Sequence, residues 1–339
     1  MKNTIFPFLI QFNTSYLLFL ITLLISVMVV LSSSSWLNIW LGLELNLMAF
    51  IPLLVESKNS LSPTSSLKYF LVQSFSSSIL LISIFVNTAL PLDYKNIQDI
   101  MMLSSLLIKL GSSPFHLWLP SVMENLNWFN SWIIITLQKL GPLITLSNLS
   151  VIMFSSYIII LNLLVGILGI MNQNSLRKFM SYSSISHNGW LIGGMVGSTD
   201  HWVYYFINYS VLSMIMIMSF YLLNISFIHQ WMTLPLGNLI KLLMMGCFLS
   251  LGGIPPLLGF FPKWLIMEQI LETGSCLVMI MMIMTSLLSL YLYSRIIFIP
   301  LFMHTTFMKA GSWKMNTSSN LFKYLMINLY LMTILPFVV

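Results

Sequence analysis

Charged side chains are what this sequence has least of. Asp, Glu, Lys and Arg make up 6% of its 339 residues, against about 25% in a soluble domain. That is too few to solvate a globular surface. Cysteine is nearly absent as well. Cys247 and Cys276 stand alone, with no CxxC or other metal-ligand spacing, which argues against a disulfide scaffold. No GxGxxG, Walker loop or HExxH occurs, so the chain shows no sign of carrying a flavin, nucleotide, iron–sulfur cluster or zinc. The 14 basic residues outnumber the 8 acidic ones but are scattered, without a basic run or aromatic platform. Nucleic acid is therefore not an expected partner.

What the chain does have is apolar length. Hydrophobic residues reach 58% and mean hydropathy is +0.93, so its solvent is lipid. Three alanines, two arginines and 26 methionines suit an A+T-rich genome and a mitochondrial code. The first apolar run, from about Thr14 to Leu31, is followed by further hydrophobic segments and no small-residue cleavage site. It reads as an uncleaved first span.

A helix needs about 20 apolar residues to cross the hydrocarbon core. Runs between polar or turn-forming breaks give eleven expected spans, at 14–33, 36–55, 65–88, 99–120, 126–147, 151–171, 176–197, 201–227, 239–270, 276–299 and 321–339. The fourth and ninth contain glycine and proline. With this count, one side collects Lys2, Lys58, Arg177, Lys178, Lys241, Lys309, Lys314 and Lys323, with Glu56 and Glu124. The other side collects Asp93, Asp99, Asp200 and Glu272, with Lys95 as its one base. The positive-inside rule then puts the N-terminus in the matrix or cytoplasm and the C-terminus opposite.

Four ionisable residues fall inside spans: Glu44, Lys109, Lys139 and Lys263. Each costs about 2.5–3.5 kcal/mol at a helix centre on insertion scales. One reading is structural, with the stem snorkelling to the headgroups, and Lys68, Arg295 and Lys323 suit it. Lys109 and Lys139 lie about ten residues from either boundary, roughly 15 Å of helix rise, too far to snorkel comfortably. The other reading is chemical. Burial penalises a charged ammonium and a nearby carboxylate restores it. A buried lysine whose carboxylate neighbour comes and goes can thus load and release a proton. Glu44 is the acidic residue deep in a span that could be such a neighbour.

Two interrupted spans repeat a pattern. "KLGSSPFHLWLP" in the fourth and "LGGIPPLLGFFPKWL" in the ninth share a small-residue pair, proline, aromatic and Leu/Trp residues, and a lysine nearby. They lie five spans apart, an odd number, so the second copy runs the opposite way. Such an inverted repeat of interrupted segments points to an ion path. Proline and glycine loosen the ladder and leave carbonyls able to hold water, although both also occur as simple kinks. The fold expected is an all-α polytopic membrane protein of about 11 transmembrane helices. Residues 1–147 form a first five-helix repeat broken around 111–114, and 148–300 a second, inverted repeat broken around 252–256. Residues 301–339 supply a loop and the last span.

Other polar residues are less telling. His187 could relay protons between the two halves or act as interhelical glue beside serine and glycine. His116 reads as structural. Gln73, Gln138, Asn162 and Asn208 read as interhelical hydrogen bonds. Trp36, Trp118, Trp128, Trp202, Trp231 and Trp313 read mostly as interface anchors.

At these residues the sequence resembles a known family. "WLGLELNLMAFIPLL", "SSLKYFLVQ", "KLGSSPFHLWLPSVMENLNW", "QNSLRKFMSYSSISHNGW" and "LGGIPPLLGFFPKWL" are similar to the subunit 2 family of mitochondrial NADH–ubiquinone oxidoreductase, respiratory complex I. The likeness runs from about residue 36 to 270 in order and spacing. It implies a proton-translocating membrane subunit in which Glu44 is the carboxylate of the first half and Lys109 its switching partner. Lys139 would be the central lysine, His187 one of the hydrated residues between the halves, and Lys263 the terminal lysine of the second half. The resemblance implies no cofactor in this chain, with NADH, FMN, iron–sulfur clusters and ubiquinone handled by partner subunits. The partners it implies are the other membrane-arm and accessory subunits, with inner-membrane lipids, cardiolipin among them. The location implied is the mitochondrial inner membrane, N-terminus in the matrix and C-terminus in the intermembrane space. Two other readings remain: a stand-alone cation/proton antiporter, and a structural membrane scaffold without transport.

Overall fold

A computed structural model describes residues 14–55, 62–89, 95–149, 152–197, 200–233, 238–255 and 257–303. They form fourteen helices in order: α1 (Thr14–Ser32), α2 (Trp36–Val55), α3 (Ser62–Ala89), α4 (Lys95–Leu110), α5 (Trp118–Met123), α6 (Trp128–Ile135), α7 (Leu137–Ser147), α8 (Ile152–Met171), α9 (Leu176–Gly193), α10 (His201–Leu222), α11 (Ile228–Thr233), α12 (Asn238–Gly252), α13 (Phe260–Glu272) and α14 (Cys276–Met303). Among the described residues the one β-type pairing is an isolated bridge between Ser175 and Phe227. Five helices among the described residues are long and apolar enough to span a bilayer: Thr14–Ser32, Trp36–Val55, Ser62–Val86, His201–Leu222 and Cys276–Phe298. The eleventh expected span, 321–339, lies outside the described residues.

The helices turn their apolar faces outward. On α1, Leu17, Leu18, Ile21, Leu24, Ile25, Met28 and Leu31 are exposed, while Ser26 is fully buried. Serine, asparagine, glutamine and three lysines, Lys109, Lys139 and Lys263, lie inside. That reverses the polarity of a water-soluble protein and fits a lipid solvent. The many buried serines are tolerated because each hydroxyl can donate to a carbonyl one turn back in its own helix. Ser26 donates to Leu23 O at 2.7 Å, Ser83 to Leu80 O at 2.6 Å and Ser183 to Met180 O at 2.8 Å.

The chain clusters into two compact units, one running through Ile158 and one from Ile159 on. In the first unit α1 packs on α2, α2 on α3, α3 on α4, and α7 against α1, α2 and α4. Val30, Ile39, Leu43, Leu80, Ile84, Met102 and Leu106 form its apolar cluster. In the second unit α10 packs on α9, α12 and α13, and α14 on α11, α12 and α13. Its two connections are tied together, since Leu176 N donates to Ser226 O and Ile228 N to Asn174 O, both at 3.0 Å.

Several tryptophans differ from expectation. Trp118, Trp128 and Trp231 are buried, at 9%, 6% and 2% exposure, where interface anchors would be half exposed. For Trp118 the reason is a polar partner in the interior: its indole Nε1 donates to Ile108 O at 3.1 Å. Trp36 is half-buried against the apolar cluster of the first unit.

Candidate functional site

Both expected interruptions are present, and each is closed by side chains. In the first, α4 stops at Leu110 and Gly111 takes a positive φ of 63°. A helix end leaves its last carbonyls without ladder partners. Here Leu107 O accepts from the Ser112 amide and hydroxyl, both at 3.1 Å. Ile108 O accepts from the Gly111 amide and from Trp118. Lys109 O accepts from Gln73 Nε2 of α3 at 3.4 Å. The carbonyls expected to hold water at this break are thus held by protein.

Lys109 itself is buried at the last turn of α4. Glu44 of α2 is within electrostatic reach of it. The Glu44 Oε2 atom is buried and accepts no hydrogen bond from a described residue. The two residues separated by 65 positions of sequence are therefore brought together.

Lys139 is 2% exposed and lies between two disturbances of its own span. The helix is interrupted at Thr136, between α6 and α7, and the Lys139 amide donates to Thr136 O at 3.1 Å. Three residues on, Pro142 has no amide to offer the Gln138 carbonyl. This third break was not anticipated, although "KLGP" at 139–142 carries its signal. Beside it Gln138 Nε2 donates to Asn46 Oδ1 at 3.1 Å, and the Tyr69 hydroxyl donates to Gln138 Oε1 at 3.0 Å. Asn46, Tyr69 and Gln138 come from three helices, so the stretch leading into Lys139 is pinned by a polar chain. Tyr69→Phe removes one neutral hydrogen bond, worth about 1 kcal/mol net. Hydrogen exchange across 136–139 should rise about fivefold, and unchanged exchange there would show that the chain does not pin the break.

The second interruption answers why a positive charge follows it. Here α12 ends at Gly252, Gly253 takes a positive φ of 85°, and α13 begins at Phe260. Lys263 then folds back. Its Nζ donates to Leu251 O at 3.1 Å and to Gly252 O at 2.8 Å. The C-terminal end of a helix carries about half a negative charge, and the ammonium caps it. The same Nζ lies 5.4 Å from the centroid of the Trp190 ring.

Around Lys263 stands a cluster of aromatic and polar side chains. His187 Nδ1 and the Tyr205 hydroxyl are 2.6 Å apart. His187 packs on Tyr209 with ring centroids 4.5 Å apart, and Tyr205 stacks on Trp190 at 6.2 Å. Tyr205 and Tyr209 are i, i+4 on α10 and share one face. Their part in the site was missed in the sequence, where "YYFINYS" looks like ordinary span filling. Asn208, expected to bond between helices, instead donates to Tyr204 O of its own helix at 2.9 Å. His187 and Lys263 both line two small cavities, one with Asn208 and Tyr209, the other with Thr285, Ser289 and Tyr293. Among the described residues no group of three or more His, Cys, Asp or Glu could hold a metal ion. Glu44, Lys109 and Lys139 thus belong to the first unit, and His187 and Lys263 to the second.

Known proteins carry the same arrangement of helices. The profile of the family described as "NADH:quinone oxidoreductase/Mrp antiporter, TM" matches residues 33–289. NADH-ubiquinone oxidoreductase chain 2 of Locusta migratoria is 40% identical over 310 residues, covering 90% of this chain and 91% of the relative. A chain of respiratory complex I from Thermus thermophilus superposes with a TM-score of 0.82 at 19% identity, over 96% of this chain and 79% of that one. A chain of the Mrp complex from Dietzia superposes with a TM-score of 0.74 at 16% identity, over 82% of this chain and 59% of that one. A family match across most of the sequence and a 40% identical relative covered over 91% of its length carry the assignment: this chain belongs to the NADH:quinone oxidoreductase/Mrp antiporter transmembrane family, on its NADH-ubiquinone oxidoreductase chain 2 branch.

Proposed function

We propose that this chain is the chain 2 membrane subunit of a proton-translocating NADH:ubiquinone oxidoreductase, moving protons through buried lysines while partner subunits carry out electron transfer. The observation that carries the reading is a coincidence of charge and interruption. Lys109 sits in the last turn of one broken helix, Lys263 caps another, and Lys139 lies between Thr136 and Pro142 in a third. Neither lipid anchoring nor simple kinking needs a buried ammonium at each break.

In this reading a signal from neighbouring subunits alters the Glu44–Lys109 interaction, and the changed charge on Lys109 biases the proton affinity of Lys139. Two unit charges about 7 Å apart at an effective dielectric of 20 interact by about 2.4 kcal/mol. That is enough to bias a transfer without large backbone motion. His187 and Lys263 do the corresponding work in the second unit. Residues 1–147 and 148–300 serve as the two inverted repeats, with the N-terminus in the matrix and the C-terminus in the intermembrane space of a mitochondrial inner membrane. The partners are the other membrane-arm and accessory subunits, with cardiolipin among the lipids.

The test replaces Lys139 with methionine in the assembled complex in liposomes. Electron transfer and protons moved per electron are measured together. The expected result is an assembled complex whose pumping falls at least tenfold below its electron-transfer rate. Intact coupled pumping would sink the proposal. A second reading, a stand-alone cation/proton antiporter, draws on the matched family's description, which also names the Mrp antiporter. It expects cation–proton exchange by the purified chain alone in liposomes, where the first reading expects none.

A further inference from the structure

We propose that Tyr205 is a positioning residue for proton relay by His187, accepting a hydrogen bond from His187 Nδ1 and leaving Nε2 as the acceptor for a proton from Lys263. The inference rests on the proton-translocating reading above and deepens it. Its ground is the 2.6 Å contact between His187 Nδ1 and the Tyr205 hydroxyl, together with the two cavities that His187 shares with Lys263.

The direction of that hydrogen bond follows from the work asked of the ring. Which imidazole nitrogen carries the proton is set by the bond the other nitrogen makes. If Nδ1 donates to the phenol oxygen, the ring keeps this bond both neutral and protonated, because Nδ1 bears hydrogen in both forms. If the phenol donated instead, the bond would have to break each time the ring took up a proton, since Nδ1 would be the ring's unprotonated nitrogen. The first arrangement loads and unloads without moving the tyrosine.

Tyr205 is also held in place. It stacks on Trp190 with an interplanar angle of 10° and is 3% exposed. Trp190 in turn faces the Lys263 ammonium. Each cavity has room for about one water, and Ser250 and Asn208 on one side and Ser289 and Thr285 on the other supply polar walls. The transfer balances simply. The Lys263 ammonium gives one proton to a bridging water, which gives one to His187 Nε2, leaving a neutral amine and an imidazolium whose Nδ1–H still points to Tyr205.

The test uses the assembled complex and two variants, Tyr205→Phe and His187→Asn. Tyr205→Phe keeps the ring stacked on Trp190 and removes the oxygen. Infrared difference spectra on histidine-labelled complex report which ring nitrogen carries hydrogen, and the band lost in His187→Asn identifies His187. In the wild type that band should sit at the Nδ1–H position. In Tyr205→Phe it should move, and protons pumped per electron should fall at least twofold. A wild-type His187 band at the Nε2–H position overturns the proposal. So does unaltered pumping in Tyr205→Phe alongside impaired pumping in His187→Asn. Full pumping in His187→Asn removes the relay reading of His187 itself, a separate failure.

Discussion

Lys263→Met in the assembled complex loses proton pumping and stability together. Methionine is close to lysine in length and fills similar space, so the change deletes the ammonium with little change of shape. Two donations disappear, to Leu251 O and to Gly252 O, each a charged hydrogen bond worth about 1.5–3 kcal/mol. The end of α12 is then left with uncapped carbonyls in a low-dielectric interior, where water is scarce. A loss of about 3 kcal/mol or more is expected, read as a lower thermal midpoint for loss of the second unit's structure. Lys263→Arg separates the two roles. It keeps a charge that can reach the carbonyls but holds its proton permanently. Its stability should sit near wild type while pumping falls as far as in Lys263→Met. If Lys263→Met melts like wild type, capping is not the residue's structural work. If Lys263→Arg pumps fully, the lysine does not exchange its proton.

That prediction joins what the sequence made legible to what it concealed. Glycine and proline at 252–256 announced a broken helix, and the lysine after them announced a buried charge. Both follow from composition, because lipid makes either feature costly wherever it occurs. The geometry joining them did not follow. Lys263 reaches back eleven and twelve residues to its carbonyls, and no helical periodicity encodes a contact across a turn of irregular backbone. Similarly, Glu44 could be named as the acidic residue in a span, but its nearness to Lys109 depends on the packing of α2, α3 and α4. The first break shows the limit more sharply. Its carbonyls looked free in the sequence, yet Gln73, Ser112 and Trp118 satisfy them. Of these only Ser112 is close enough along the chain to have been suspected. The span boundaries were easier, since α1, α2, α8 and α14 begin within a residue of the expected positions. Each of those starts where an apolar run meets a polar or turn-forming residue.

Gly259→Ala should be nearly as damaging as Lys263→Met, although it removes no polar group. Gly259 directly precedes α13 with an ordinary helical φ of −73°, so backbone strain is not the reason. The reason is closeness. A Cβ at this position would overlap the carbonyl oxygen of Ser250, which is backbone within the last turn of α12 and cannot swing aside. Overpacking against a rigid group costs about 1–3 kcal/mol or more. The close approach also has a consequence for charge. Bringing the start of α13 against the end of α12 is what lets Lys263, one turn into α13, reach Leu251 and Gly252. Pushing α13 away should break both donations, so Gly259→Ala inherits the stability loss and the pumping defect of Lys263→Met. The double variant should then be little worse than either single one, because both remove the same interaction. Gly246→Ala supplies the control. It lies in α12 with no described residue within 4 Å of the added carbon, and alanine suits a helix better than glycine by about 0.5–1 kcal/mol. It should pump normally and melt at or slightly above wild type. Wild-type pumping and melting in Gly259→Ala would mean that the break tolerates a wider gap, and that Lys263 reaches its carbonyls without the glycine's help.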